Sequence, residues 1–202
     1  MKRKNGDDDV FGFGQLIGIL KKNPKKIVFT EGEDPRILEA SSRLLASYFL
    51  HPILIGDEKR IADAAEESGF NIRGAEIIDP EKFDKIDEMV ELYCELRKKK
   101  GVTPDQAREI LKQANYFGTM LVKMGFADAL LGGATYSTAD TVRPALQLIK
   151  TKPGNNLVSS CFILVRPSAT GDNEVLAMGD CAININPTED DLVEIAGETA
   201  KC

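Results

Sequence analysis

The sequence predicts an α/β fold in which a mainly parallel sheet is covered by helices. Short apolar segments at residues 27–29, 53–55 and 75–78 alternate with longer helical segments. Strands that alternate with helices pair in parallel, because each helix carries the chain back to the start of the sheet. The observations therefore indicate a layered protein with a buried sheet.

Breaks in this pattern divide the chain into three segments. We expect a tail and docking helix over residues 1–25, a first α/β domain over residues 26–152, and the start of a second α/β domain over residues 153–202. Pro24 and Pro153 mark the two boundaries, because proline cannot continue a helix.

The loop after the first strand reads TEGEDPR and leads into a helix over residues 37–48. We expect Asp34 to cap this helix and Pro35 to open it. A ligand-binding role for Arg36 is the less favoured alternative. The loop lies at the carboxyl end of a strand, where open α/β folds place their ligands.

A long helical segment starts at Asp79 and ends in basic residues before Gly101. We interpret Lys98–Lys100 as a solvated helix end, since cations complement the helix dipole there and glycine accepts a left-handed cap. Residues 129–131 are predicted to form a buried strand. The remaining predicted elements are a helix start at Thr103, an apolar helix over residues 116–124, strands over residues 157–165 and 175–178, and a last helix capped by Thr188.

The composition is that of a soluble globular protein, with 43% hydrophobic and 29% charged residues among 202. The net charge of −6 argues against binding to nucleic acid or to an anionic membrane. The four cysteines show no metal-type spacing, and we predict no metal site. Without a signal peptide or a membrane-spanning run, we expect a cytoplasmic protein. The single histidine, His51, is interpreted as structural.

The most informative stretch runs from the predicted strand at residues 129–131 through a glycine turn and a hydroxyl-rich loop. We expect a helix from Val142, with Arg143 as its cap and Pro144 at its first position. Free N–H groups at a helix start, together with a guanidinium, form an anion site in outline. A plain connection, whose Ser and Thr only cap the helix, is the open alternative.

The string GATYSTADTVRPALQ in this stretch resembles the signature of phosphotransacetylases. TEGEDPR, ELRKKKG and DCAININP match segments of the same family in the same order, so the resemblance runs from about Lys26 to Cys202. It implies a two-domain architecture like that of isocitrate dehydrogenase, with the second domain truncated here. It also implies a homodimer when the protein is full length.

The resemblance implies phosphate acetyltransferase activity, the reversible transfer of an acetyl group between coenzyme A and phosphate. Acetyl-CoA, phosphate and acetyl phosphate are then the small-molecule partners, and coenzyme A is a substrate with no permanently bound cofactor. Arg143 is expected to be catalytic. The expected substrate-binding residues are Arg97, Gly133, Ser137, Thr138, Thr141 and Arg143.

Two departures from the family bear on activity. The family's catalytic Ser-Arg-Gly string and its aspartate base do not occur in this sequence, and Tyr136 stands where many members carry histidine. We therefore expect no appreciable acetyl transfer by these 202 residues alone. The alternatives are a phosphate butyryltransferase, an inactive partial homologue acting as a binding module, and a dehydrogenase of the isocitrate type. The dehydrogenase would need an aspartate cluster for a metal, and none is visible.

Overall fold

The computed structural model describes residues 14–167 and 173–201. The tail predicted at the start of the chain lies outside the described residues up to residue 13. The described residues form two compact units, one of residues 20–149 and the other of residues 14–19, 150–167 and 173–201. In chain order the elements are α1 (Gly14–Lys22), β1 (Lys25–Phe29), α2 (Pro35–Ser47), β2 (Leu50–Ile55), α3 (Glu58–Ser68), β3 (Glu76–Ile78), α4 (Ile86–Leu96), α5 (Pro104–Leu111), α6 (Ala114–Lys123), β4 (Ala129–Leu131), α7 (Thr138–Leu148), β5 (Cys161–Pro167), β6 (Asn173–Gly179) and α8 (Glu189–Thr199).

The first unit is built on a parallel sheet with strand order β3-β2-β1-β4. Successive strand residues point to opposite faces, and each face buries its own set of side chains. Val28 and Ile53 pack with apolar residues of α4, α5 and α6. Phe29 and Leu54 pack on the other face with residues of α2 and α3. The predicted α/β class and parallel sheet are confirmed.

The local helix signals of the first unit work largely as predicted. Asp34 caps α2 by accepting the Arg36 N–H at 2.9 Å, and Pro35 opens that helix. After α4, a 3-10 turn at Lys98–Lys100 ends at Gly101, whose φ of +65° is left-handed. These expectations are confirmed.

The helix predicted from Asp79 begins later, at Ile86. The Asp79 side chain accepts the N–H of Glu81 at 3.0 Å, and its carbonyl accepts the N–H of Lys82 at 3.0 Å. These bonds close a turn around Pro80 instead of a helix.

β4 is an edge strand, since it pairs only with β1 in the sheet of the described residues. Its burial was predicted wrongly. Leu131 is 51% exposed, and Leu130 is partly buried. A three-residue edge strand has one neighbour, so an apolar run alone does not establish burial on both sides.

The second unit carries the antiparallel pair β5 and β6, packed with α8. β5 starts at Cys161, later than the predicted start at residue 157. The backbone N–H groups of Asn156 and Leu157 bind the Glu194 carboxylate at 2.9 and 3.2 Å, so they are not free to pair with a strand. Thr188 caps α8 as predicted.

Candidate functional site

The loop from β4 to α7 requires glycine at its first two positions. A β-carbon on Gly132 would lie 2.7 Å from Thr30 Oγ1, so any side chain there would force Thr30 or the loop to shift. Gly133 has a φ of +116°, a conformation that side chains strongly disfavour. The glycines therefore let this loop pass tightly over the end of the neighbouring strand β1.

The Glu31 carboxylate occupies the backbone N–H groups of this loop. It accepts from Gly133 N at 3.1 Å, from Thr135 Oγ1 at 2.9 Å and from Thr135 N in a still shorter contact. Glu31 is 9% exposed. The anion site predicted at the glycine turn is therefore already filled at Gly133 by the chain's own carboxylate.

The surroundings of Glu31 keep it ionised. Burial alone would raise the pKa of the Glu31 carboxyl, but the hydrogen bonds from Thr135, Ala134 and Gly133 outweigh it, and the pKa lies below its ordinary value of 4.5. The negative charge of Glu31 is thus built into the loop. A second anion would meet repulsion at these N–H groups.

Helix α7 begins at Thr138, four residues before the predicted start at Val142. Its cap is Ser137, whose Oγ accepts the N–H of Asp140 at 3.2 Å and donates to the Asp140 carboxylate at 2.6 Å. The Thr141 hydroxyl donates to the Ser137 carbonyl at 3.5 Å. Ser137 and Thr141 thus make capping bonds, while Thr138 is exposed.

The predicted position of Arg143 at the helix start is wrong. Arg143 is not the cap, and Pro144 lies inside the helix instead of opening it. Proline is tolerated there because Asn115 Nδ2 donates to the Asp140 carbonyl at 2.7 Å, which replaces the N–H that Pro144 lacks. The Arg143 side chain is 57% exposed, and its Nη1 lies 3.6 Å from Asp140 Oδ1.

Arg97 closes α4 as its C-cap residue and is partly buried. Within the described part of the chain, its Nε is buried without a hydrogen-bond partner. A buried guanidinium nitrogen that lacks a partner is costly, so it indicates a place for an acceptor. The neighbouring residues Lys98–Lys100 are exposed, as a solvated helix end requires.

A chain of contacts leads from α4 through α6 to the helix that carries Arg143. The rings of Tyr93 and Tyr116 lie 6.4 Å apart at a steep angle. The Tyr116 hydroxyl donates to Gln147 Oε1 at 3.3 Å. Gln147 is one helical turn after Arg143, on the same side of α7. Arg97 lies one turn after Tyr93, so the two arginines lie on helices joined by these contacts.

A separate cleft of about 730 Å³ opens at the carboxyl ends of the parallel strands. None of the predicted site residues lines it. Lys82 bridges Asp57 at 3.2 Å and Asp79 at 2.8 Å there, and hydrogen bonds to Asp79 and Asp57 raise the pKa of Lys82 to about 12. The other two cations that line the cleft are paired as well, Arg60 with Glu33 and Lys112 with Glu109. Tyr136 also lines this cleft, and burial raises the pKa of its phenol.

The sequence profile of the family described as Phosphate acetyl/butaryl transferase matches residues 13–202. The chain belongs to this family.

Relatives and solved structures agree with this membership of the Phosphate acetyl/butaryl transferase family. A phosphate acetyltransferase of Bacillus subtilis (strain 168) is 49% identical over 175 residues, which is 87% of this chain and 52% of that protein. One of Staphylococcus aureus (strain COL) is 46% identical over 191 residues, 92% of this chain and 56% of that protein. The EutD phosphotransacetylase from Staphylococcus aureus superposes with a TM-score of 0.83 at 42% identity, and covers 94% of this chain and 57% of that one. A phosphotransacetylase from Streptococcus pyogenes gives 0.82 at 43% identity, with 93% and 58% covered.

Family membership decides between two of the classes open at the sequence level. The chain is not an isocitrate-type dehydrogenase, because the matching family and the relatives are acyltransferases by name. The chain spans about half the length of the curated relatives that it matches. Residues 14–167 and 173–201 contain no group of three or more His, Cys, Asp or Glu placed to hold a metal ion. Each helix in that part of the chain is too short or too polar to cross a bilayer.

Two residues of this region were missed at the sequence level, Glu31 and Asn115. Both act on partners that are distant in sequence, at separations of 102 to 104 and of 25 residues. In the sequence, Glu31 is recognisable only as an acidic residue between a strand end and a glycine. Asn115 follows a polar turn and resembles an ordinary helix-start residue.

Proposed function

We propose that these residues form part of a phosphate acetyltransferase, which transfers an acetyl group reversibly between coenzyme A and phosphate. Support comes from the family match and from relatives of that name at 45–49% identity. Coenzyme A, acetyl phosphate and phosphate are all anionic, whereas the chain carries a net charge of −6. Local cations are therefore needed to hold them.

The observation that carries the proposal is the buried Nε of Arg97, which has no partner among the described residues. A phosphate oxygen of coenzyme A or of acetyl phosphate is the kind of acceptor that would satisfy it. We assign Arg97 to substrate binding on this ground.

Arg143 is the second cation of the proposed site and its catalytic residue. Its contact with Asp140, at 3.6 Å, is beyond hydrogen-bond reach, and the side chain is accessible. A guanidinium placed against the phosphoryl oxygens would stabilise the charge that grows there as the carbon–oxygen bond of acetyl phosphate breaks. Thr138, Ser137 and Thr141 are secondary binding candidates, whereas the N–H of Gly133, the other residue expected to bind substrate, is already taken by Glu31. Thr138 makes none of the capping bonds that engage Ser137 and Thr141.

Acid–base chemistry is not assigned within these residues. The thiol of coenzyme A must lose a proton before its sulfur attacks the acetyl carbon, and no Ser-Arg-Gly string occurs here. We further propose that coenzyme A enters as a free substrate, that the reaction takes place in the cytoplasm, and that the complete enzyme is a homodimer. The first and the third of these statements rest on the family resemblance.

A fusion enzyme tests the proposed activity. The 202 residues are joined to the remaining part of the Bacillus subtilis phosphate acetyltransferase, at the point where the aligned region ends. We expect acetyl-CoA formation that depends on acetyl phosphate from the fusion, and no appreciable formation by the 202 residues alone. Butyryl phosphate is the comparison substrate and should react more slowly. Turnover by the 202 residues alone, or none by a folded fusion, would contradict the proposal.

Arg97→Gln in the same fusion tests the binding assignment. Losing a charge-assisted bond should raise KM for coenzyme A about tenfold or more, while the Tm stays within a few degrees. Lys99→Gln is the matched control, since Lys99 is exposed in the same helix end. A large fall in Tm with a normal KM would show that Arg97 only ends the helix.

A further inference from the structure

Helix α7 contains a proline that removes one of its hydrogen bonds, and a buried side chain of α6 replaces that bond. Pro144 has no N–H, so the carbonyl of Asp140 loses its donor four residues on. Asn115 Nδ2 donates to this carbonyl at 2.7 Å. The partner comes from another helix, so the bond also joins α6 to α7.

The Asn115 side chain is held in the orientation that this bond requires. It is 8% exposed, and its Oδ1 accepts the N–H of Tyr116 at 2.9 Å. Since an N–H lies against one end of the amide, the oxygen is assigned to that end and the NH₂ group to the Asp140 carbonyl. The amide oxygen of Asn115 therefore bonds within α6, and its NH₂ group bonds to α7.

The position of this bond relates it directly to Arg143. Asp140 precedes Arg143 by three residues and Pro144 follows it, so the turn that Asn115 holds is the turn that contains Arg143. A second bond between the helices, from Tyr116 to Gln147, lies on the far side of Pro144. The two bonds bracket the proline and fix α7 before and after it.

We propose that Asn115 is a positioning residue, which holds the Pro144 turn of α7 and thereby sets the direction of Arg143. The proposal rests on the anion-binding role proposed above for Arg143. Without Asn115 the Asp140 carbonyl is unpaired next to a proline ring, and helices bend at such places. Arg143 would then leave the position in which it meets an anion.

A double-mutant cycle isolates this role. Asn115→Ala removes the donor, and Pro144→Ala restores the backbone N–H that pairs with the Asp140 carbonyl within the helix. The effect of Asn115→Ala should therefore be large with Pro144 present and small in the Pro144→Ala background.

Two measurements on the 202-residue chain need no ligand. The first is amide hydrogen exchange in α7, which we expect to become about five- to tenfold faster in Asn115→Ala, as the loss of one hydrogen bond predicts. The second is the rate at which phenylglyoxal modifies Arg143 relative to Arg43 in the same sample. Arg43, on α2, is 78% exposed and serves as the reference. We expect this ratio to change about twofold or more, and both changes to revert in the double variant.

Thr119→Val is the matched control. Thr119 is 5% exposed on the same helix as Asn115, but its hydroxyl bonds only the Asn115 carbonyl in its own helix, at 2.7 Å. This variant should leave exchange in α7 and the Arg143 ratio unchanged. Asn115→Asp, which keeps an acceptor for the Tyr116 N–H but cannot donate, gives the same test if Asn115→Ala does not fold.

The proposal is overturned if either folded Asn115 variant leaves the Arg143 ratio at the wild-type value, or if Pro144→Ala fails to restore it. Failure of the proposed function is seen separately, in kcat/KM of the fusion enzyme for acetyl phosphate. If Arg143→Gln leaves this value unchanged while the cycle is positive, the function proposed for Arg143 is rejected and the positioning role of Asn115 stands.

Discussion

The two loops that follow the paired strands β1 and β4 carry complementary groups. The β1 loop, residues 30–34, is acidic, and the β4 loop, residues 132–137, offers backbone N–H groups. Glu31 of the first loop binds Gly133 and Thr135 of the second. The Glu31 carboxylate therefore binds the N–H donors that the sequence offers as an anion site. This contact holds the two loops together, and we call it the joint between the loops.

An arginine follows each loop, and the two arginines differ in the bonds that they make within the fold. Arg36 binds Asp34 through Nε at 2.9 Å and Nη2 at 2.7 Å, and its Nη2 also binds the Ala134 carbonyl at 2.8 Å. Within residues 14–167 and 173–201, the one charged partner of Arg143 is the Asp140 carboxylate, 3.6 Å away. The Arg36 guanidinium is thus bonded within the fold, whereas that of Arg143 makes no such bond among the described residues. This difference is the reason for proposing Arg143, and not Arg36, as the ligand-binding arginine.

Removing Glu31 should have the largest effect on the joint between the loops. Glu31→Ala leaves the N–H groups of Gly133 and Thr135 without their acceptor, which costs about 2–5 kcal/mol in the free energy of unfolding. Urea denaturation measures it. Glu33→Ala, in the same loop but paired with Arg60 at the surface, is the control and should cost much less. Equal losses of stability for the two variants would show that Glu31 does not hold the two loops together.

Substituting Gly133 should have a smaller effect on the same joint. Gly133→Ala forces a side chain onto a φ of +116°, which costs about 1–3 kcal/mol in the free energy of unfolding. Gly197→Ala is the control, since Gly197 lies in α8 with open space around its would-be β-carbon. That substitution should be neutral or slightly stabilising. A neutral Gly133→Ala would mean that the loop does not need its left-handed turn.

Acidification should weaken the joint by a further, smaller amount. The pKa of Glu31 is lower in the folded chain than its ordinary value of 4.5, so the folded state favours the ionised form. The stability this provides is fully present above pH ~4.5 and is lost as the pH falls through the folded-state pKa. Glu31→Gln should flatten this part of the stability profile. An unchanged slope between pH ~3 and ~5 would assign the acid sensitivity to other carboxyl groups.

The comparison of the loops also shows what the sequence could predict. Asp34 and Pro35 start α2 as expected, because a helix cap involves residues that are neighbours in the chain. The parallel sheet follows from the alternation of strands and helices for a similar reason. Local rules are sufficient for these elements.

The errors concern bonds between distant residues. Pro144 was placed at a helix start because a proline in a helix interior loses a bond, but Asn115 of another helix supplies it. The glycine turn was expected to hold an external anion, but Glu31 reaches it from the neighbouring strand end. Neither partner is visible until the fold brings it close.

The roles of the two arginines are tested by comparing Arg143→Ala with Arg36→Ala in the fusion enzyme. We expect kcat/KM for acetyl phosphate to fall about ten- to hundredfold for Arg143→Ala, the effect of losing a charge-assisted contact. For Arg36→Ala we expect a change of less than about threefold, since that side chain is already bonded within the fold. Similar values for Arg143→Ala and the unsubstituted fusion, or a greater loss for Arg36→Ala, would contradict these roles.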